Sequence, residues 1–166
     1  MTRGTYPAAP AEPDLRSVMR LFPTGVAVLL AGRGDETVAT TVNSLTSVTL
    51  EPPTVLVSLR KYSRAHTITS AAGGFCLSFL SGLQGDHARL FASRNKPTGH
   101  ELEKYFGIAA DGGRILDGAL ATLHCTVSTT HLEGDHCLFL GRVTAAHHGD
   151  TDQGALLFHQ GRMASV

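Results

Sequence analysis

Short runs of strand-forming residues, interrupted at close intervals by glycine and proline, restrict this chain to a mainly β fold. Val26–Leu30 is a continuous apolar run and predicts a buried strand. Thr37–Val42, Thr54–Leu59 and Phe75–Leu80 predict further strands, and Leu156–His159 a last short one. Ala119–His131 and His136–His147 flank Glu133-Gly134-Asp135, the pattern of a hairpin. Helical signals are few and short. Asp14 is a good N-cap before Leu15, Val18, Met19 and Phe22, which fall at helical spacing and stop at Pro23. Ser63 caps Arg64–Ala72, ended by Gly73-Gly74, and Gln84–Ser93 places Leu90 and Phe91 on an inner face. From Arg94 to Gly113 the pattern fades, predicting a long polar connection that is either mobile or covers a site. Many strands with few, short helices point to a β-barrel with helical plugs rather than a doubly wound sheet. The Pro- and Ala-rich residues 1–13 read as a disordered tail before a single domain over 14–166.

Charge and cysteine usage exclude several classes of function. Lys+Arg and Asp+Glu both number 14, so nothing pulls the whole molecule toward nucleic acid or an anionic membrane. Any attraction for an anion must be local. The longest apolar runs, such as Val26–Ala31, are too short to span a bilayer, and no signal-peptide pattern is visible. Cys76, Cys125 and Cys137 are an odd number without a CxxC pair, which fits reduced thiols in a cytoplasmic protein. Neither zinc-finger spacing nor HExxH occurs, so no metal site is expected. The absence of GxGxxG and GxxxxGK[ST] removes the Rossmann and P-loop nucleotide sites.

Two stretches carry candidate chemistry. Between Thr40 and Thr49 the chain gathers Thr40, Thr41, Asn43, Ser44, Thr46, Ser47 and Thr49 on what reads as one extended segment. Such a row of donors and acceptors suits a flat heterocycle rimmed with carbonyls and ring nitrogens; it also suits a half-solvated edge strand. Arg60-Lys61-Tyr62-Ser63-Arg64 then brings three fixed positive charges to a strand end and a capped helix start, a favourable place for phosphate. A solvated surface turn is the alternative. Together the two stretches describe a nucleotide-like ligand. His136 after Gly134-Asp135, and His159 before Gln160-Gly161, are either site residues or exposed histidines.

These residues, in this order, resemble the flavin reductase-like domain, typical of the reductase components of two-component flavin monooxygenases. The resemblance is carried by Phe22-Pro23-Thr24-Gly25-Val26-Ala27-Val28, Thr41-Val42-Asn43-Ser44-Leu45-Thr46-Ser47-Val48 and Glu51-Pro52-Pro53. It continues through Ala71-Ala72-Gly73-Gly74-Phe75, Gly118-Ala119-Leu120-Ala121 and Gly134-Asp135-His136-Cys137-Leu138-Phe139-Leu140-Gly141-Arg142-Val143. It implies a split β-barrel that binds flavin, usually as a homodimer with the site near the subunit interface. By position, Thr41, Val42, Asn43, Ser44 and Ser47 would meet the flavin ring and ribityl chain, and Arg60, Ser63 and Arg64 the phosphate. His136 matches a histidine linked to nicotinamide binding, and His159 one close to the site. The implied activity is reduction of FAD or FMN by NADH or NADPH, with NADH favoured, for supply to a separate oxygenase. A flavin carrier without turnover, or an enzyme that keeps its flavin and reduces its own substrate, are the rival readings. The chain departs from the family at Met163, where an aromatic residue is usual, and at Arg60, where a small polar residue such as Asn is common.

Overall fold

Asp14 opens the first element as its chemistry predicts: its carboxylate accepts the Ser17 amide at 3.1 Å and starts α1 (Leu15–Met19). The computed structural model describes Glu12 and residues 14–166, so the predicted tail falls, apart from Glu12, outside the described residues. Next come β1 (Thr24–Gly25) and β2 (Ala27–Ala31). All of β2 is buried, because Ala27, Leu29 and Ala31 face one apolar cluster while Val28 and Leu30 face another. A 3-10 turn over Gly34–Glu36 leads to β3 (Val38–Val42), followed by β4 (Leu45–Leu50) and β5 (Pro53–Arg60).

The hydroxyl-rich stretch expected to be one extended segment is therefore two strands, broken at Asn43-Ser44. The side chains of those two residues bond away from the ladder: Asn43 Nδ2 donates to Thr24 Oγ1 at 3.2 Å and Ser44 Oγ to the Ser58 carbonyl at 2.7 Å. Then follow α2 (Arg64–Ala72), ended by Gly73 in the left-handed region (φ 65°), β6 (Gly74–Phe79) and α3 (Gly85–Ala92).

The connection expected over 94–113 is ordered. It holds a 3-10 turn over Gly99–Lys104, opened by a reciprocal Thr98–Glu101 cap, then β7 (Phe106–Ile108) and the start of β8 (Arg114–Leu116). Its anchors, Leu102 and Phe106, pack with Leu116 into the cluster around Phe91; they are too few to establish a helical or strand period. The long hairpin of β9 (Ala121–Glu133) and β10 (His136–His148) matches the pattern, as does β11 (Leu156–His159). A final strand, β12 (Arg162–Ser165), escaped it. Gln160 (φ 51°) and Gly161 (φ 79°) make the tight turn into β12, using a glutamine where asparagine would have been the clearer signal.

Seven strands form one antiparallel sheet in the order β3-β2-β6-β9-β10-β5-β4. Its edge strands, β3 and β4, are joined by Asn43-Ser44 alone. Laid flat, the sheet would hold its edges roughly 29 Å apart, six spacings of about 4.8 Å. A two-residue link spans only about 11 Å. The sheet must therefore curl until its edges nearly meet, and the hydrogen bond from the Ser58 amide to the Ser44 carbonyl at 3.1 Å carries the β4–β5 ladder up to the link. The result is a barrel split along one seam. Inside lie Leu29, Val57, Leu77 and Phe139, all fully buried; outside β2, α3 and the 99–116 segment cover Val28 and Leu30. A small sheet, β1-β11-β12, flanks the seam.

Candidate functional site

The seam is where the predicted residues converge. Ser63 Oγ accepts the His66 amide at 3.2 Å and caps α2, leaving the other first-turn amides without intrahelical partners. The turn that delivers Ser63 closes with its amide on the Arg60 carbonyl at 3.1 Å and places Tyr62 in the left-handed region (φ 63°), a conformation costing a non-glycine residue roughly 1–2 kcal/mol. Beside it opens a cavity of about 500 Å³, lined by Val38–Ser44, Ser58–Arg60, Ser63–Ala65, Arg94, Lys96 and Thr98. Thr41, Val42, Asn43, Ser44, Arg60, Ser63 and Arg64 are thus brought around one space.

Several hydroxyls of the row already serve the fold. Thr41 Oγ1 donates to the Ala88 carbonyl at 2.7 Å, and Ser44 Oγ is engaged by Ser58, so each offers a ligand only its acceptor capacity. Ser47 is not brought in: the break at Asn43-Ser44 sends it along β4, exposed and paired with Val55. Because β3 is an edge strand, its outward backbone groups from Ala39 to Val42 have no ladder partner and border the cavity.

Electrostatics make the cavity unusual in a chain of zero net charge. Arg60, Arg64, Arg94 and Lys96 line it, and no Asp or Glu does. Among the described residues none of these four forms an ion pair within 4.0 Å. Lys96 and Arg94 are the site residues that sequence reasoning missed. They sit among turn formers, Asn95 and Pro97, where no periodicity announces a wall.

The two predicted histidines lie outside this lining. His136 begins β10 in register with Arg60, half-buried at the rim. Its Nδ1 lies 2.8 Å from Asp135 Oδ1, and that hydrogen bond, with the His136 and Arg60 charges, holds the Asp135 carboxyl below its ordinary pKa. His159 is exposed on β11, one residue beyond Phe158, the partner of Thr24. A second hollow of about 550 Å³, mostly apolar, shares Val42 and Asn43 with the charged cavity; Phe22, Pro23, Val26, Leu45, Leu80 and Leu156 line it.

A separate polar cluster lies on the outer face of β6, β9 and β10. Cys76 Sγ approaches His124 Nδ1 at 3.4 Å, the His124 and His147 rings meet edge to face at 5.1 Å, and His147 Nε2 lies 3.2 Å from Asp111 Oδ2. Burial lowers the His124 pKa, reinforced by the His147 charge, and pushes the Cys76 thiol up to about 11. A thiol so held stays protonated at neutral pH. Among the described residues no three His, Cys, Asp or Glu side chains are arranged to hold a metal ion, and no helix is long and apolar enough to cross a membrane.

The profile of the "Flavin reductase like domain" matches residues 19–166. An NADH-dependent FMN reductase, AsuE2 of Streptomyces nodosus subsp. asukaensis, is 38% identical over 166 residues, covering 99% of this chain and 88% of its own. An NADH-dependent FAD reductase of Streptomyces globisporus is 36% identical over 152 residues, covering 90% of this chain and 82% of its own. Among solved structures, BorF, the flavin reductase component of a bacterial two-component tryptophan halogenase, superposes with a TM-score of 0.84 at 34% identity. The superposition covers 92% of this chain and 96% of BorF.

Proposed function

Since this chain belongs to the flavin reductase-like domain family, we propose that it is an NADH:flavin oxidoreductase that reduces FAD or FMN and releases the product to a separate flavin-dependent oxygenase. The observation that carries this reading is the cationic cavity without a carboxylate at the α2 N-terminus, which shares Val42 and Asn43 with an apolar hollow. Ser63, Arg64 and the free first-turn amides of α2 hold the flavin phosphate, with Arg60 at the strand end beside them. The edge of β3 offers amides and carbonyls to the polar rim of the ring, while the hollow behind Val42 shelters its apolar part. Bound there, flavin would supply the hydride-accepting chemistry, which belongs to the cofactor itself. The protein's contribution is position and charge: donors near the reduced ring stabilise the negative charge it gains. His136, oriented by Asp135 at the rim, is placed to meet the nicotinamide amide, and His159 approaches from the β11 side.

The working unit is a homodimer. Leu15, Val18, Met19, Leu21 and Phe22 are each more than half exposed, although α1 is built as an amphipathic helix. Phe22 also lines the apolar hollow, so a second copy covering this face would close the ring site as well. Three free thiols, two of them buried, fit a cytoplasmic setting.

The test is NADH consumption by the purified protein with and without added FAD or FMN. Oxidation that requires flavin and saturates in both components is expected. Flavin binding without turnover of either nicotinamide nucleotide would instead indicate a carrier.

A further inference from the structure

A further cavity, of about 540 Å³, lies at the other end of α2 and shares no lining residue with the charged one. Ala72, the last residue of α2, lines it, whereas Arg64 and Ala65, the first two, line the charged cavity. Leu30, Phe75 and Cys125, all buried, give it an apolar floor. Arg33 and Arg114 line it from two separate arms: the turn between β2 and β3, and the start of β8. Glycine shapes both arms. A Cβ on Gly32 (φ 93°) would stand 2.7 Å from the Glu36 carbonyl oxygen, and one on Gly113 would collide with the His124 ring.

Charge at this rim is positive, because no Asp or Glu lines the cavity. Two acids of the neighbouring turns are held elsewhere: His100 Nε2 lies 2.9 Å from Asp35 Oδ1, and its Nδ1 lies 3.0 Å from Glu103 Oε1. Arg114 Nη2 stands 3.9 Å from Glu103 Oε1, beyond hydrogen-bond reach, and Arg33 forms no ion pair among the described residues. Burial raises the Cys76 thiol and the Arg114 charge opposes that rise, so the guanidinium acts on the cavity wall. Thr37 and Thr144 commit their hydroxyl protons to the Gly34 and His124 carbonyls, which leaves the guanidinium groups as the strong donors.

An apolar floor beneath a cationic rim selects an anion with an apolar body. An inorganic anion leaves the floor unused, and a neutral apolar molecule leaves the arginines without a counter-charge. The C-terminal end of α2 borders the cavity with its partial negative charge, which disfavours a doubly charged phosphate and tolerates a single charge. We propose that this cavity is a second ligand site, which takes a small organic carboxylate. Its apolar part rests on Leu30 and Phe75, and its carboxylate meets Arg114, with Arg33 closing from the other arm. The inference goes beyond the flavin reading and does not depend on it, since no residue of the charged cavity takes part.

Benzoate, benzamide and inorganic phosphate would be titrated by calorimetry into the wild type, Arg114→Gln, Ala72→Trp and Arg64→Ala. Ala72 is exposed, so a tryptophan there fills the cavity without disturbing buried packing; a thermal melt verifies the fold of each variant. Benzoate should bind the wild type and Arg64→Ala alike, with one site per chain. Loss of the charged hydrogen bond should weaken it by about tenfold or more in Arg114→Gln, and Ala72→Trp should abolish saturable binding. Benzamide lacks the charge and phosphate the apolar body, so each should bind at least about tenfold more weakly than benzoate. A wild type that does not saturate with benzoate, or an affinity equal in the wild type, Arg114→Gln and Ala72→Trp, would overturn the site. Binding lost in Arg64→Ala would overturn it too, by placing the anion in the charged cavity. Phosphate or benzamide binding as tightly as benzoate would overturn the ligand class. Failure of the flavin reading shows separately, as a wild type that binds neither FAD nor FMN while its benzoate titration stands.

Discussion

At the scale of single residues, the site is legible where chemistry is local. Ser63 announces itself as a cap before a helix and Arg64 as a charge at its first position, and both are found there. Ser47 shares its neighbours' chemistry but not their strand, and lies outside the cavity lining. Lys96 was invisible because only a tertiary wall gives its charge a purpose. Ser63 should carry two separable duties. Ser63→Ala removes the cap and should cost about 1 kcal/mol of stability while raising the flavin KM. Ser63→Asp keeps a capping oxygen and so the stability, yet sets a negative charge against the phosphate and should raise KM further. Arg64→Ala should raise KM with little change in melting temperature, since Arg64 makes no ion pair among the described residues. Denaturant midpoints beside flavin kinetics check all three; flavin KM values unchanged throughout would move the phosphate elsewhere.

At the scale of elements, the capped helices and the β9–β10 hairpin were readable because turn and cap signals are contiguous in sequence. The 94–116 segment was not, because its order comes from contacts with α3 rather than from its own pattern. Phe91 is the floor of that packing, fully buried and edge to face with Tyr105 at 5.5 Å. Phe91→Ala should cost about 3–5 kcal/mol and loosen the wall that carries Arg94 and Lys96. A fall in melting temperature with a raised flavin KM is expected; a fall with unaltered KM would show that the wall is held independently. The same segment is fastened at its far end, where the β7–β8 turn sets Asp111 against His147 and beside His124. His124 has a folded-state pKa below its unfolded value, so the unfolded chain binds its proton more readily. Its contribution to stability is therefore present above the unfolded pKa of about 6.5 and is lost as pH falls below it. Asp111, also depressed, first by the Gly113 amide, loses its contribution only on further acidification, as pH falls through a folded pKa below 3.8. His100 works in the opposite direction, because Glu103 and Asp35 raise its pKa. The informative quantity is the difference between wild type and His124→Gln: their melting temperatures should converge as pH drops from 7.5 toward 5.5. A constant gap would mean that His124 does not titrate in that window.

At the scale of the whole molecule, strand content pointed to a barrel, but the closure was hidden. It depends on which strands become edges, and only the sheet order shows that Asn43-Ser44 must bridge the seam. Zero net charge likewise hid the extent of the cationic cavity: Arg60 and Arg64 are close in sequence, but Arg94 and Lys96 join them only after folding. The same scale holds the case for a dimer. α1 presents Leu15, Val18 and Met19 to solvent on a helix whose spacing is that of a buried face, and among the described residues no element covers them. Burying one such side chain is worth about 1.5–3 kcal/mol, enough for several together to hold two copies. Light scattering should therefore give a particle of twice the 17.5 kDa chain mass. The paired change Val18→Asp and Met19→Asp, on residues that line neither the charged cavity nor the apolar hollow, should shift that particle toward the single-chain mass. Activity then decides what the contact is for. A monomeric variant that keeps its fold but loses turnover at low protein concentration, and regains it when concentrated, would show that the ring site is completed by the partner. Monomers with full turnover would show that the hollow behind Val42 and Phe22 is sufficient within one chain, and that the α1 face serves assembly alone.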